Sequence, residues 1–203
     1  MFSLTFDDGP DPRGTPAVLD ALARANARAT FFVLGQRVEE HPALYERIVA
    51  EGHEIGVHGH DHLRHPIAGR DAVAEDLDAA LEVLGQTPAL WRVPWGDHAS
   101  WTGQVAAARG LTLAGWTADT HDWRGDSAET MLAAIKRRLG PGAVVLAHDG
   151  VGPGALREDC GETARLVGPL VDVARRKGLE PVTLEPAWPV PLPPGNNPEV
   201  LAS

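Results

Sequence analysis

Two adjacent carboxylates close the first apolar run of the chain, in Thr5-Phe6-Asp7-Asp8-Gly9-Pro10. Residues 2–6 read as a short buried strand, and Gly9-Pro10 turns the backbone out of it. Side by side at the end of such a strand, two acids repel each other unless a cation or a proton separates their roles. A metal on one acid and a proton-transfer task on the other resolves that cost. An Asp-rich turn capping the next helix is the plain alternative, because Asp, Gly and Pro are common turn residues. The choice between them rests on what partners the rest of the chain supplies.

Downstream, strand and helix patterns alternate about seven times. Apolar runs at 29–34, 54–58, 90–93, 111–116, 143–147 and 181–184 read as strands. Helical spacing of apolar residues marks 16–25, 38–50, 71–84, 102–109, 128–139 and 162–177. This alternation predicts parallel strands joined by crossover helices, most economically a closed or nearly closed β/α barrel. An open doubly wound sheet is the alternative, but no glycine fingerprint for a dinucleotide follows the first strand. Residues 1–185 make one catalytic domain in this reading. Residues 186–203, with six prolines, make an extended tail docked through Trp188.

Active sites of β/α barrels lie at the carboxyl ends of the strands. Here those ends carry ionisable groups repeatedly: Asp7 and Asp8, then His58-Gly59-His60-Asp61-His62, Arg92, Asp119 with Asp122, and His148. His58 and His62 are four apart, so a helical turn places both imidazoles on one side, with His60 opposite. Two histidines and a carboxylate make a common catalytic zinc set, and Asp8 is the third ligand on this reading. A solvated histidine-rich loop is the bland alternative. His148, delivered by the strand at 143–147, is placed to donate a proton near neutral pH. Either Asp122 or Asp119 can hold its imidazole. Arg92 is placed to keep Asp7 ionised, and Trp95 and Trp123 are core residues or the walls of a sugar groove.

Composition narrows the partners. Eighteen basic against 28 acidic residues give a formal charge of −10, which argues against nucleic acid and anionic membrane surfaces. No run approaches the roughly 18 apolar residues of a membrane span. The single Cys160 reads as a small buried residue. The first strand begins too early for a leader, so a full-length chain is expected in the cytoplasm and a trimmed one outside the cell.

Five segments in order resemble the polysaccharide deacetylase family (NodB-like, carbohydrate esterase family four). They are Thr-Phe-Asp-Asp-Gly-Pro at 5–10, His-x-x-x-His at 58–62, Arg-x-Pro-x-Gly at 92–96, Asp122-Trp123, and Leu-x-His at 146–148. The resemblance implies a distorted β/α barrel of about seven parallel strands and metal-dependent deacetylation of N-acetylated sugars. It implies Asp7 as general base, oriented by Arg92, and Asp8, His58 and His62 as ligands of zinc, with cobalt or nickel as substitutes. It further implies the Trp95 backbone N–H as oxyanion donor, and His148, tuned by Asp122, as general acid. Trp123 and Leu146 would line the pocket for the acetyl methyl. Two other readings use the same residues: an O-acetyl esterase on xylan-like substrates, and a non-catalytic carbohydrate-binding barrel. One departure stands out. Gly59 replaces the Ser or Thr usual after the first metal histidine, which implies a loop with one brace fewer and a weaker hold on the metal.

Overall fold

The computed structural model describes residues 1–188 and Leu192. Among these residues, seven parallel strands form one sheet: β1 (Ser3–Asp7), β2 (Thr30–Val33), β3 (Glu54–Val57), β4 (Leu90–Trp91), β5 (Thr112–Leu113), β6 (Ala118–Asp119) and β7 (Val144–His148). Their order is β5-β4-β3-β2-β1-β7-β6, so β1 sits between β2 and β7. Among the described residues, eight α-helices accompany them: α1 (Thr15–Arg24), α2 (Gly35–Glu40), α3 (Pro42–Ala50), α4 (His65–Ala68), α5 (Arg70–Leu84), α6 (Thr102–Ala107), α7 (Ala128–Ile135) and α8 (Gly161–Arg176). The sheet curls into a half-barrel, as the alternation of elements predicts.

Side chains on a strand alternate between faces. On β1, Leu4 and Phe6 join the main core under the helices, while Thr5 and Asp7 take the hydrogen bonds of the Arg92 side chain. The opposite parity thus lines the barrel interior. There a small second cluster, Phe32, Leu90, Ala114, Val144 and Leu184, fills the space. Because every strand runs the same way, all carboxyl ends emerge on one rim.

Three elements differ from the sequence reading. The run at 111–116 is not one strand. β5 ends at Leu113, the chain crosses the open side of the barrel, and β6 pairs with β7 at the far edge. On the way Ala114 N–H donates to Trp91 O and Thr117 N–H to Val144 O, so the link nearly seals the seam. The expected strand at 181–184 is a single bridge, Pro181 to Phe2, followed by Val182 N–H on Phe2 O. Beyond it Leu184 N–H donates to the Thr30 hydroxyl, not to a strand carbonyl, so the ladder does not continue. The helix expected over 38–50 breaks into α2 and α3 at Pro42, whose ring excludes His41 from helical geometry (φ −134°, ψ 55°).

The proline-rich tail lies mostly outside the described residues. Trp188, within them, donates from Nε1 to Gly142 O at 2.9 Å and packs on the inner cluster. No helix among the described residues is long and apolar enough to cross a membrane. Cys160 is fully buried, and burial pushes its thiol up to about 12.

Candidate metal centre and active site

The rim holds a cavity of about 370 Å³ at the strands' carboxyl ends. Asp7, Asp8, His58, His62 and His148 line it, together with Trp95, Trp123 and Leu146. Arg92 and Asp122 stand behind this lining, each bonded to a residue that faces the cavity. The structure thus brings together every residue that the sequence assigned to the site.

Asp8 Oδ1 lies 3.2 Å from His62 Nε2 and 3.4 Å from His58 Nε2. One ligand atom from each residue falls within 4.8 Å of the other two. His58 Nδ1 is 2.7 Å from the Arg92 carbonyl. A carbonyl only accepts, so Nδ1 carries the proton and Nε2 turns a lone pair toward Asp8. Among the described residues, Asp8 Oδ1 has no hydrogen-bond partner although it is buried. Lone pairs facing one another in a dry site are unfavourable without a cation between them, and an N,N,O set suits a divalent ion.

The two histidines do not converge through a helical turn, as their spacing suggested. Residues 58–62 form an irregular loop with Gly59 at φ +89° and His62 at φ +57°. Positive φ at two positions folds the loop back so that both rings face Asp8, 5.1 Å apart.

Asp7 Oδ1 accepts from Arg92 at 2.8 Å, and both side chains are buried. Arg92 also donates to Thr5 Oγ1 and to Gly115 O, at 2.7 and 2.8 Å, and lies over the Phe32 ring. Burial lowers its own pKa, with Asp7 pulling the other way.

Across the cavity, His148 Nδ1 is 2.7 Å from Asp122 Oδ1, and His148 N–H donates to Asp122 Oδ2 at 2.9 Å. Asp119, the other candidate, instead accepts from His121 N–H at 2.8 Å. Burial would lower the His148 pKa, but the Asp122 charge and hydrogen bond raise it to about 9, aided by Asp8 and Asp7. Asp122 is buried, yet His148, Arg157 and Thr163 drive its pKa far below the usual range.

Trp95 sits at φ +63° in a one-turn 3₁₀ helix, Pro94–Gly96, with its ring tilted 5.2 Å from His62. Among the described residues, its N–H meets no backbone acceptor. Trp95 is 46% exposed, an aromatic face open at the cavity mouth.

Two groups escaped the sequence reading. Arg157 donates to Asp122 Oδ2 at 2.9 Å and to the carbonyls of His148 and Gly150. Thr163, in the first turn of α8, donates to the same Asp122 oxygen at 2.7 Å. Only the ionisable type of Arg157 marked it in the sequence, and nothing there ties it to Asp122. Glycines bring its loop against the site: a Cβ at Gly152 would overlap the Asp8 carboxylate. Arg37 fastens this loop down, donating to Asp8 O at 2.6 Å and Val151 O at 2.7 Å.

A family model for polysaccharide deacetylases matches residues 1–114. The chitooligosaccharide deacetylase of Bradyrhizobium sp. (strain ANU 289) is 36% identical over 193 residues, 87% of this chain and 85% of the relative. A peptidoglycan-N-acetylglucosamine deacetylase of Bacillus cereus is 36% identical over 150 residues, 72% of this chain. The match spans 54% of that relative, about half its length. Among solved structures, a peptidoglycan N-acetylglucosamine deacetylase superposes with a TM-score of 0.84 at 32% identity, over 92% of this chain and 86% of that one.

Proposed function

The chain belongs to the polysaccharide deacetylase family, and from that membership and the geometry of its rim we propose that it hydrolyses N-acetyl groups on an N-acetylated sugar. The observation that carries the proposal is the meeting of Asp8, His58 and His62 at one point, with Asp7 and His148 on adjacent strands beside it.

Amide hydrolysis needs an activated water, a stabilised oxyanion and a proton for the leaving nitrogen. Asp8, His58 and His62 would hold a divalent ion, zinc first among candidates for an N,N,O donor set, then cobalt or nickel. Such an ion, when bound, polarises the acetyl carbonyl and lowers the pKa of water toward about 7.

The protein's own groups do the rest. Asp7 takes the water proton, oriented by the buried Arg92 guanidinium 2.8 Å away. The Trp95 N–H supplies a donor for the developing oxyanion. His148 gives its Nε2 proton to the departing amine, while Asp122 holds Nδ1 and fixes the ring. Trp123 and Leu146 supply apolar surface for the acetyl methyl, and the exposed Trp95 ring supplies a face for a pyranose. Relatives named for chitooligosaccharide and for peptidoglycan support an N-acetylglucosamine-type substrate.

The test is acetate release from chitooligosaccharides, peptidoglycan fragments and acetylxylan with added zinc or cobalt. Release from an N-acetyl sugar is expected. Asp7→Asn should lower that rate by roughly 10²–10⁴-fold while retaining the metal. Release from acetylxylan alone would replace the proposal with an O-acetyl esterase, and sugar binding without any acetate release would replace it with a binding barrel.

A further inference from the structure

His58 is fixed twice over, by its N–H on Val33 O and by its Nδ1 on Arg92 O. His62 is not. Its Nδ1 has no hydrogen-bond partner among the described residues, and its backbone sits at φ +57°, which a non-glycine residue holds only when its surroundings enforce it. What places the second histidine must therefore be the loop between the two. On one side Gly35 N–H holds Gly59 O at 3.0 Å, and Gln36 N–H reaches His60 O at 3.4 Å. On the other, Asp76 of α5 accepts both of the next two N–H groups. Its Oδ2 takes His60 N–H at 2.9 Å, and its Oδ1 takes Asp61 N–H at 2.8 Å.

Gly59 belongs to the same arrangement. A Cβ there would lie 2.7 Å from Asp76 Oδ2, and φ +89° is a conformation that L side chains rarely adopt. The carboxylate from α5 occupies the space that a side chain at 59 would need. The brace implied to be missing when Gly59 replaces a hydroxyl residue is therefore present, supplied from another helix.

We infer that Asp76, which lies outside the cavity lining, is a positioning residue for the metal centre: with Gly59 it forms one unit that clamps the His60 and Asp61 amides and so sets His62 against Asp8. This inference rests on the proposed metal site. Partners that orient metal ligands typically contribute about 10–100-fold in metal affinity.

The experiment measures zinc and cobalt dissociation constants by competition titration for the wild type, Asp76→Ala and Asp76→Asn, together with the melting temperature of each metal-free protein. The expected result is an affinity about 10–100-fold weaker in Asp76→Ala, with an altered cobalt absorption band and a metal-free melting temperature close to wild type. Asp76→Asn, which keeps one acceptor oxygen, should fall between. Turnover in both should return toward wild type at saturating metal, because the catalytic groups are untouched. Gly59→Ser should weaken binding in the wild type and do less harm in the Asp76→Ala background, where its side chain has room.

Equal dissociation constants in wild type and both variants would overturn the inference. So would an affinity loss matched by a collapse of the metal-free fold in both. A wild-type chain that takes up neither ion would overturn the metal reading itself, an outcome separate from a wild type that binds and variants that bind equally well.

Discussion

At His148 two large effects oppose each other. Burial alone would strip the imidazole of its proton, yet Asp122, itself locked in the anionic form by Arg157 and Thr163, raises the pKa to about 9. Asp122→Asn should leave burial opposed only by the Asp8 and Asp7 charges, so the His148 pKa falls by more than about one unit. Two measurements follow from the sign. In the pH profile of kcat/KM, the alkaline limb should move down with it, since the proton donor is lost at lower pH. In folding, a histidine whose native pKa is raised above its unfolded value of about 6.5 stabilises fully below that pH. That contribution fades as pH climbs through 9. The melting-temperature difference between wild type and Asp122→Asn should therefore be large at pH 6 and shrink by pH 10. An alkaline limb that stays in place would show that Asp122 does not set the acid.

Among the secondary-structure elements, the seam between β5 and β6 is the weak line of the barrel, and Arg92 is its closure. One guanidinium joins Asp7 and Thr5 of β1 to the Ala114 and Gly115 carbonyls of the crossing link. Arg92→Met keeps an apolar stem but strands the buried Asp7 carboxylate. Breaking a buried pair in this way costs about 3–5 kcal/mol, readable in urea unfolding. Arg92→Lys keeps the charge but not the fork, and should lie between. Unfolding curves that coincide would remove Arg92 from the seam. This closure also marks where the sequence stopped being readable. Long periodic stretches such as α5 and α8 declare themselves, and β1 and β7 do so by their apolar runs. β5 and β6 have two residues each, too few to carry a period, so the apolar run at 111–116 looked like one strand and β6 at 118–119 was not read. Asp7, Asp8 and His148 were legible because each ends a strand, and parallel strands end on one rim. Asp76, Arg157 and Thr163 were not, because each acts across a long stretch of chain. Which backbone N–H or carboxylate lies opposite is fixed only when the helices pack. Likewise Gly59 looked like a loss until α5 supplied the missing acceptor.

Over the whole molecule, the proposed metal centre would act as a cross-brace. Asp8 follows β1, while His58 and His62 follow β3, and β2 stands between those strands in the sheet. An ion there would tie two non-adjacent strands across the barrel mouth and relieve the facing lone pairs at Asp8 and His58. Binding to the folded chain alone stabilises it by about 2.7 kcal/mol at 100 times Kd and about 4.1 at 1,000 times. For a chain of this length each kcal/mol is worth about 2–4 °C in Tm. Chelation should therefore lower Tm by roughly 5–15 °C, reversed by zinc in excess. The gap should narrow toward acid pH, because protonated imidazoles cannot ligate. His58→Ala supplies the control. It removes one ligand and should melt at the same temperature with and without zinc. If wild type and His58→Ala respond to zinc alike, the ion binds elsewhere, and the strand ends would then be joined by protein contacts alone.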